Sequence, residues 1–478
     1  MKRIAWKILL LFFSAVIFAQ ADFPSLEPLF VYEPVEGVFS GEDIFRAALE
    51  FSLCPQESET GRIVLERYAE LENEVVSAVS AMDDMEKGEK ILSLMYERVL
   101  TQYVGDQTRM DVMFLEGTYN CVSSSVLYFA LARAAGLSVA GQETPAHAFC
   151  AVSIGGKKID VETTNPNGFN PGVKKILEQT EKTTHYFIVP KKYYSGRKEV
   201  GERKFVSLVG RNLVSGMNNE NNFAQGVPLS ATRLAFVGNA LPRDAAAVRE
   251  DFDTVCGNYA VDLDQKQMQS EKALDWLDAV CTRWGESEEL RKKYNSIAHN
   301  CAVNYLRTDD FDNARRAFET HRDRLTKKNA ANIGKMIFTA WVDSAVKGLS
   351  PDETIAFLHE RRTDAYAQEK SAAAHLDILE EYAWYTKIRA EVDAENYLVA
   401  ALIADEGLKF LPSSRNLKTI KNQCMQNYAV DVHNAFADLT NAGKYDEAMQ
   451  VVQKGLKIVP SNAMLNSDLK KLQNFLKK

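Results

Sequence analysis

Apolar residues return at helical spacing through the first part of the chain. Ile63, Val64, Tyr68, Leu71, Val75 and Val79 form one stripe and predict a helix over 60–82. Ile91, Leu92, Met95 and Val99 form a second stripe and predict a helix over 84–103. Ahead of both, Ser40-Gly41-Glu42-Asp43 opens a helix for IFRAALEFSL. Asn120 and Gly136 bracket a further helix over 122–135, as N-cap and C-cap. The period then shortens. Residues 137–140 read as a short extended piece, and 147–154 and 158–164 read as two strands joined at Gly155-Gly156, a hairpin signal. A short helix over 173–180 and a strand over 185–189, ended by Pro190, follow. Beyond 206 the pattern is helical again.

The hairpin predicts a register. With Gly155-Gly156 as a two-residue loop, Ile154 pairs with Lys157, Phe149 with Glu162 and His147 with Thr164. Side chains alternate along a strand, so His147, Asp160 and Glu162 share one face. Ala148, Cys150, Val152, Ile159 and Val161 line the other, which should meet the core. Glu162 lies diagonally across from His147, roughly 7–8 Å between backbone positions and within side-chain reach. Asp160 is about 7 Å further along the strand.

Cys121 falls in the first turn of the 122–135 helix. Free backbone N–H groups and the helix dipole stabilise a thiolate there. A histidine and two acids follow on the hairpin, in the order nucleophile, base and orienter. In this reading His147 takes the Cys121 proton, the thiolate attacks an acyl carbon to give a thioester, and Glu162 orients the imidazole, with Asp160 as the alternative acid. The backbone N–H of Cys121 would form part of an oxyanion hole. A Cys121–Cys150 disulfide is the structural rival, and it is disfavoured because Cys150 faces away from His147.

Three segments carry a family resemblance: Tyr119-Asn120-Cys121, His147-Ala148-Phe149 and Val161-Glu162-Thr163-Thr164. Together, over about 106–195, they resemble the transglutaminase-like superfamily, with Glu162 where that family usually has Asp. The resemblance implies an α+β papain/transglutaminase-like core, a helix packed on an antiparallel sheet, with Cys121, His147 and Glu162 (or Asp160) as its triad. It also implies a peptidase, amidase, protein crosslinker or inactive relative.

The helical half contains echoes of itself. HNCAVNYLRTDDFDNARRAF (299–318) resembles HNAFADLTNAGKYDEAMQVV (433–452), and Gly407-Leu408 with Pro412 returns as Gly455-Leu456 with Pro460, 48 residues on. These are similar to divergent tetratricopeptide-type hairpins, expected to stack as an all-α helical-repeat solenoid that holds a protein or peptide.

Composition narrows the function classes. The chain has 478 residues, is 46% hydrophobic and carries a net charge of −8 without a dense basic patch, so nucleic acid is not an expected partner. Its seven cysteines are scattered without a CxxC pair, so no metal site is expected, and no cofactor either. Lys2, Arg3 and Lys7, the apolar run 8–18 and Ala19-Gln20-Ala21 read as a signal peptide, with an uncleaved anchor as the alternative. The expected organisation is signal peptide (1–21), helical lead-in (22–105), transglutaminase-like domain (106–200) and repeats (206–478). The expected function is an exported, periplasmic or secreted, cysteine-dependent acyl-transfer enzyme with a scaffold for a protein partner and no membrane segment after cleavage. The alternative is a non-catalytic binding scaffold.

Overall fold

The computed structural model describes residues 23–34, 37–171, 186, 189, 191–238 and 241–477. The signal segment expected over 1–21, the helix over 173–180 and most of the strand over 185–189 lie outside these residues. Chain contacts define two compact units, Met1–Ile297 and Ala298–Lys478.

The first unit opens with α1 (Gly41–Phe51), α2 (Glu59–Val79) and α3 (Asp84–Arg98). Ser40 caps α1 and Asp83 caps α3, each in a reciprocal box with the acid three residues on. The expected helix over 84–103 stops at Arg98, because the chain turns into β1 (Gln102–Tyr103), which pairs in parallel with β2 (Thr118–Tyr119) across α4 (Met110–Glu116). Gly117 makes that return with φ +77°, and a Cβ there would strike Thr101 at 2.3 Å. Helix α5 (Cys121–Ala134) follows, buried at every residue from Val122 to Ala132. A helix buried all round is a core helix. α1, α2 and α3 pack around it.

The hairpin forms in the expected register. β3 (Val139–Thr144), β4 (His147–Ile154) and β5 (Lys157–Val161) pair antiparallel, with Ile154 opposite Lys157 and Cys150 opposite Val161. With β6 (Lys198–Val200) they make a four-stranded sheet in the order β5-β4-β3-β6. β5 ends at Val161 rather than 164, where the backbone turns so that Glu162 N–H donates to the Gly168 carbonyl. β4 is buried on both faces, not on the apolar face alone. The unit continues with α6 (Glu202–Asn219), α7 (Phe223–Val237), α8 (Pro242–Val261) and α9 (Ser270–Trp284). These four helices, which the sequence pattern groups with the half beyond 206, pack within the first unit, and α6 touches α1, α5 and β3.

This arrangement overturns the expected fold class, an α+β papain/transglutaminase-like core joined to an all-α solenoid. The described residues form eighteen α-helices against one four-stranded and one two-stranded sheet. The strand period persists only over the hairpin and one short edge, too little to form a layer that organises the unit. The helices before and after it supply most of the packing around α5.

α10 (Glu288–Leu306) spans the division between the units. The second unit contains α11 (Phe311–His321), α12 (Lys327–Ala345), α13 (Pro351–Arg361), α14 (Lys370–Asp393), α15 (Tyr397–Phe410), α16 (Arg415–Asn441), α17 (Tyr445–Ile458) and α18 (Ala463–Leu476). From α13 onward each helix packs on the next. Gly407 and Gly455, the echoed pair, do the same work. A Cβ on Gly407 would meet Trp384 and Leu417, and one on Gly455 would meet Val432 at 2.6 Å and Leu465. Each lets a helix lie close against both of its neighbours. No described helix is long and apolar enough to cross a membrane.

Overpacking a tight helix contact typically costs about 1–3 kcal/mol, more than the gain in helix propensity on replacing glycine. Gly455→Val is therefore expected to lower the urea midpoint of the full chain, followed by circular dichroism. An unchanged midpoint would show that α16 and α18 do not press on this position.

Candidate active site

Asn120 sets the start of α5. Its side-chain oxygen accepts from the backbone N–H groups of Val122 and Ser123, and its carbonyl accepts from Ser124. Among the described residues no acceptor takes the N–H of Cys121. Cys121 is half-buried at this first position, at the positive end of the helix dipole.

Ser123, Ser124 and Ser125 do not form a solvated first turn. All three are buried and fully engaged. Ser124 and Ser125 bond the Thr163 hydroxyl at 2.9 and 2.7 Å, and the Ser125 hydroxyl also donates to the Ala148 carbonyl at 3.2 Å. Tyr96 donates to the Thr163 carbonyl at 2.8 Å. The segment after β5 is thus tied directly to the start of α5.

That tie places Glu162. Its Oε2 accepts from His147 Nε2 at 2.7 Å and from the Tyr194 hydroxyl at 2.6 Å. Its Oε1 accepts from the Thr164 backbone N–H at 3.2 Å and the Thr164 hydroxyl at 2.8 Å. The residue is 5% exposed, and a carboxylate so buried keeps its charge only if its oxygens are bonded in this way. With Nε2 committed to Glu162, the other ring nitrogen of His147 is left for its hydrogen bond with Cys121. Burial disfavours a charged His147. The hydrogen bonds with Cys121 and Glu162, and the negative charge of both, outweigh it and push the pKa up to about 9.

The structure therefore brings Cys121, His147 and Glu162 together and sets Asp160 apart. Asp160 opposes Ala151 on the same face as His147, but its carboxylate is held by both Nη atoms of Arg197 at 2.8 Å. Arg197 also lies over the Phe149 ring, 4.8 Å from its centroid, and bonds Gln142. This anchors the short 3-10 turn Lys191–Tyr194, whose Tyr194 ring packs edge-on against His147 and Phe149. Cys150 points the other way and donates to the Ser125 carbonyl at 3.2 Å; burial pushes its thiol pKa well up. Among the described residues no disulfide forms.

Sequence reasoning missed Tyr194, Thr163 and Tyr103. The stretch 191–204 reads as a charged exit, yet it covers the site. Its only signal was Tyr193-Tyr194 amid cations. Tyr103, brought beside Cys121 by the β1–β2 pair, hydrogen-bonds to it. Burial and the Cys121 charge keep the Tyr103 phenol protonated. A cleft of about 800 Å³ opens over these groups, lined by Tyr103, Cys121 and His147 on one side and by Arg211, Asn212 and Ser215 of α6 on the other. Among the described residues no cluster of three or more His, Cys, Asp or Glu side chains could hold a metal ion.

No family model and no curated protein matches the chain. A crystal structure of menin, solved to reveal that protein's binding site for the Mixed Lineage Leukemia protein, matches 80% of this chain and 90% of that one. The identity is 11% and the TM-score 0.30, a likeness that assigns neither fold nor function.

His147 carries a testable linkage. Its folded pKa of about 9 lies above the ordinary histidine value of 6.5, so its charge stabilises the fold fully below pH 6.5 and that stabilisation is lost as pH rises through 9. The effect is on the order of 3 kcal/mol. The gap in urea midpoint between the parent protein and His147→Gln should be wide at pH 6 and narrow by about pH 10. A gap that does not change with pH would refute the charged state of His147.

Proposed function

We propose that the first unit is a cysteine-dependent acyl-transfer enzyme acting on a protein or peptide, exported by its N-terminal segment. One observation carries the reading: the imidazole of His147 joins the Cys121 thiol, at a helix start, to the buried carboxylate of Glu162. This is the nucleophile–base–orienter arrangement of covalent catalysis. The resemblance of the three motif segments to the transglutaminase-like superfamily supports the same reaction class.

The steps follow from the hydrogen bonds. In this reading the Cys121 proton passes to His147, whose hydrogen bonds with Cys121 and Glu162 outweigh burial and favour the charged ring. The thiolate attacks the acyl carbon of an amide. The oxygen that becomes negative meets the unclaimed Cys121 N–H. His147 gives its proton to the departing amine, and the C–N bond breaks to leave a thioester on Cys121. Water or a lysine amine then attacks the thioester, giving its proton back to His147. Glu162 keeps the ring from rotating throughout, since Tyr194 and Thr164 fix the carboxylate in turn. The cleft of about 800 Å³ beside the thiol leaves room for a substrate. We read the helices of the second unit, with their echoed glycines, as tetratricopeptide-type repeats that recruit the protein substrate.

Iodoacetamide near neutral pH should alkylate Cys121 first, roughly tenfold or more faster than a model thiol. A dansyl-amine offered with a peptide library should be incorporated by the parent protein and not by Cys121→Ala. Hydrolysis without incorporation would identify water as the acceptor. His147→Gln should lower either activity about 10²–10⁴-fold. Alkylation of Cys121 no faster than the model thiol would refute the enzyme and leave a binding scaffold.

A further inference from the structure

The second unit has a cavity of its own. It lies among α11, α12, α13 and the turn that follows α13, and encloses about 330 Å³. That volume suits a small ligand or a single terminal side chain. Phe318, Phe338, Trp341 and Tyr366 form its aromatic walls. Gly334 shapes one side: a Cβ there would strike the Tyr366 ring at 2.3 Å, so glycine lets that ring lie against the α12 backbone.

Its polar groups do not close on one another. The Arg315 and Arg361 guanidinium groups sit 5.5 and 5.8 Å from the centroid of the same ring, Trp341, and Arg361 also lies 5.6 Å from Phe357. Two like charges thus share one indole. Each is attracted to the ring face and repelled by the other. Arg361 Nη1 is 3.6 Å from Asp364, beyond hydrogen-bond length, and its Nη2 turns outward to Glu360, which is 70% exposed. Arg361 Nε is buried and meets no acceptor among the described residues. Burial and the Glu319 carboxylate raise the pKa of the Tyr366 phenol. Glu319 is itself drawn to Arg322. Both arginines and Tyr366 line the cavity, so the two cationic groups beside Trp341 belong to its wall.

We propose that this cavity binds a carboxylate carried on an apolar group. The carboxylate offers two acceptor oxygens to the guanidinium groups of Arg361 and Arg315 beside Trp341, and its charge relieves the repulsion between them. The apolar group lies against Trp341 and Phe338. Lysine could not replace Arg361, because a planar guanidinium both lies over Trp341 and offers several N–H donors to a carboxylate. The carboxylate comes either from a free arylalkanoic acid or from the C-terminus of a peptide ending in an apolar residue.

The test is titration calorimetry on the full chain with three probes: 3-phenylpropionate, N-acetyl-Gly-Gly-Phe with a free C-terminus, and the same peptide amidated. Saturable binding of at least one free carboxylate is expected, with none of the amide. Arg361→Gln should weaken it at least about tenfold. Gly334→Val, which pushes a side chain into the Tyr366 ring, should do the same. Arg315→Gln, at an exposed residue, guards against misfolding of the other variants and should weaken binding as well, with circular dichroism unchanged. Tighter binding of the peptide acid identifies a chain terminus as the source, and equal or tighter binding of phenylpropionate identifies a small acid. The proposal is overturned if neither acid binds the parent protein below about 10 mM. Amide binding as tight as the acid, or binding indifferent to both arginine variants, overturns it equally.

Discussion

A buried carboxylate that must keep every oxygen bonded governs the first unit. Glu162 is almost wholly out of water, and its four hydrogen bonds come from His147, Tyr194 and two atoms of Thr164. Losing a donor would leave a charge desolvated without compensation, so each donor must be held rigidly by something else. Thr163 is therefore tied to Ser124 and Ser125 of α5, and the turn carrying Tyr194 is anchored through Arg197 to Asp160 and Phe149. The loop after Glu162 closes on itself at Gly168, where a Cβ would come 1.8 Å from the Glu162 carbonyl. Tight packing of the backbone there and full bonding of the carboxylate are one constraint seen from two sides.

The same constraint explains why the thiol and the imidazole meet. α5 is sequestered from Val122 to Ala132, so its N-terminal turn cannot shift without moving the core. The hydroxyl contacts from that turn to Thr163 set the distance between helix start and hairpin. The two cysteines nearest the site then diverge by environment. Cys121 lies at a helix start beside a charged imidazole, while Cys150 sits in the core with its thiol bonded to a carbonyl. Helix α6 supplies the opposite wall of the cleft, so helices on both sides of the hairpin in sequence build one site.

Much of the site was legible in the residue pattern. Gly155-Gly156 dictates a two-residue loop, and the loop dictates the register, because a slip of one residue would turn one strand's core side chains onto the face that carries His147. That placed His147 and Glu162 within reach and ranked Glu162 above Asp160. The expected pairing beyond Val161 did not form, since the chain turns there to wrap Thr163 toward α5. The fold class was misread for a related reason. A hairpin with strong alternation is conspicuous locally, while the packing of nine helices in a unit is a sum of weak amphipathic signals whose partners lie far apart in sequence.

Local chemistry by itself determined the helix caps at Ser40, Asp83 and Asn120, the hairpin register and the order thiol, imidazole, acid. These depend on residues within a few positions of one another, where dihedral preference and side-chain alternation decide. Only the tertiary structure decided that Asp160 belongs to Arg197, that Tyr194 completes the shell of Glu162, that α6 walls the cleft and that helices dominate both units. Those outcomes come from contacts between distant segments, chosen by which buried polar groups must find partners. No local pattern carries that information.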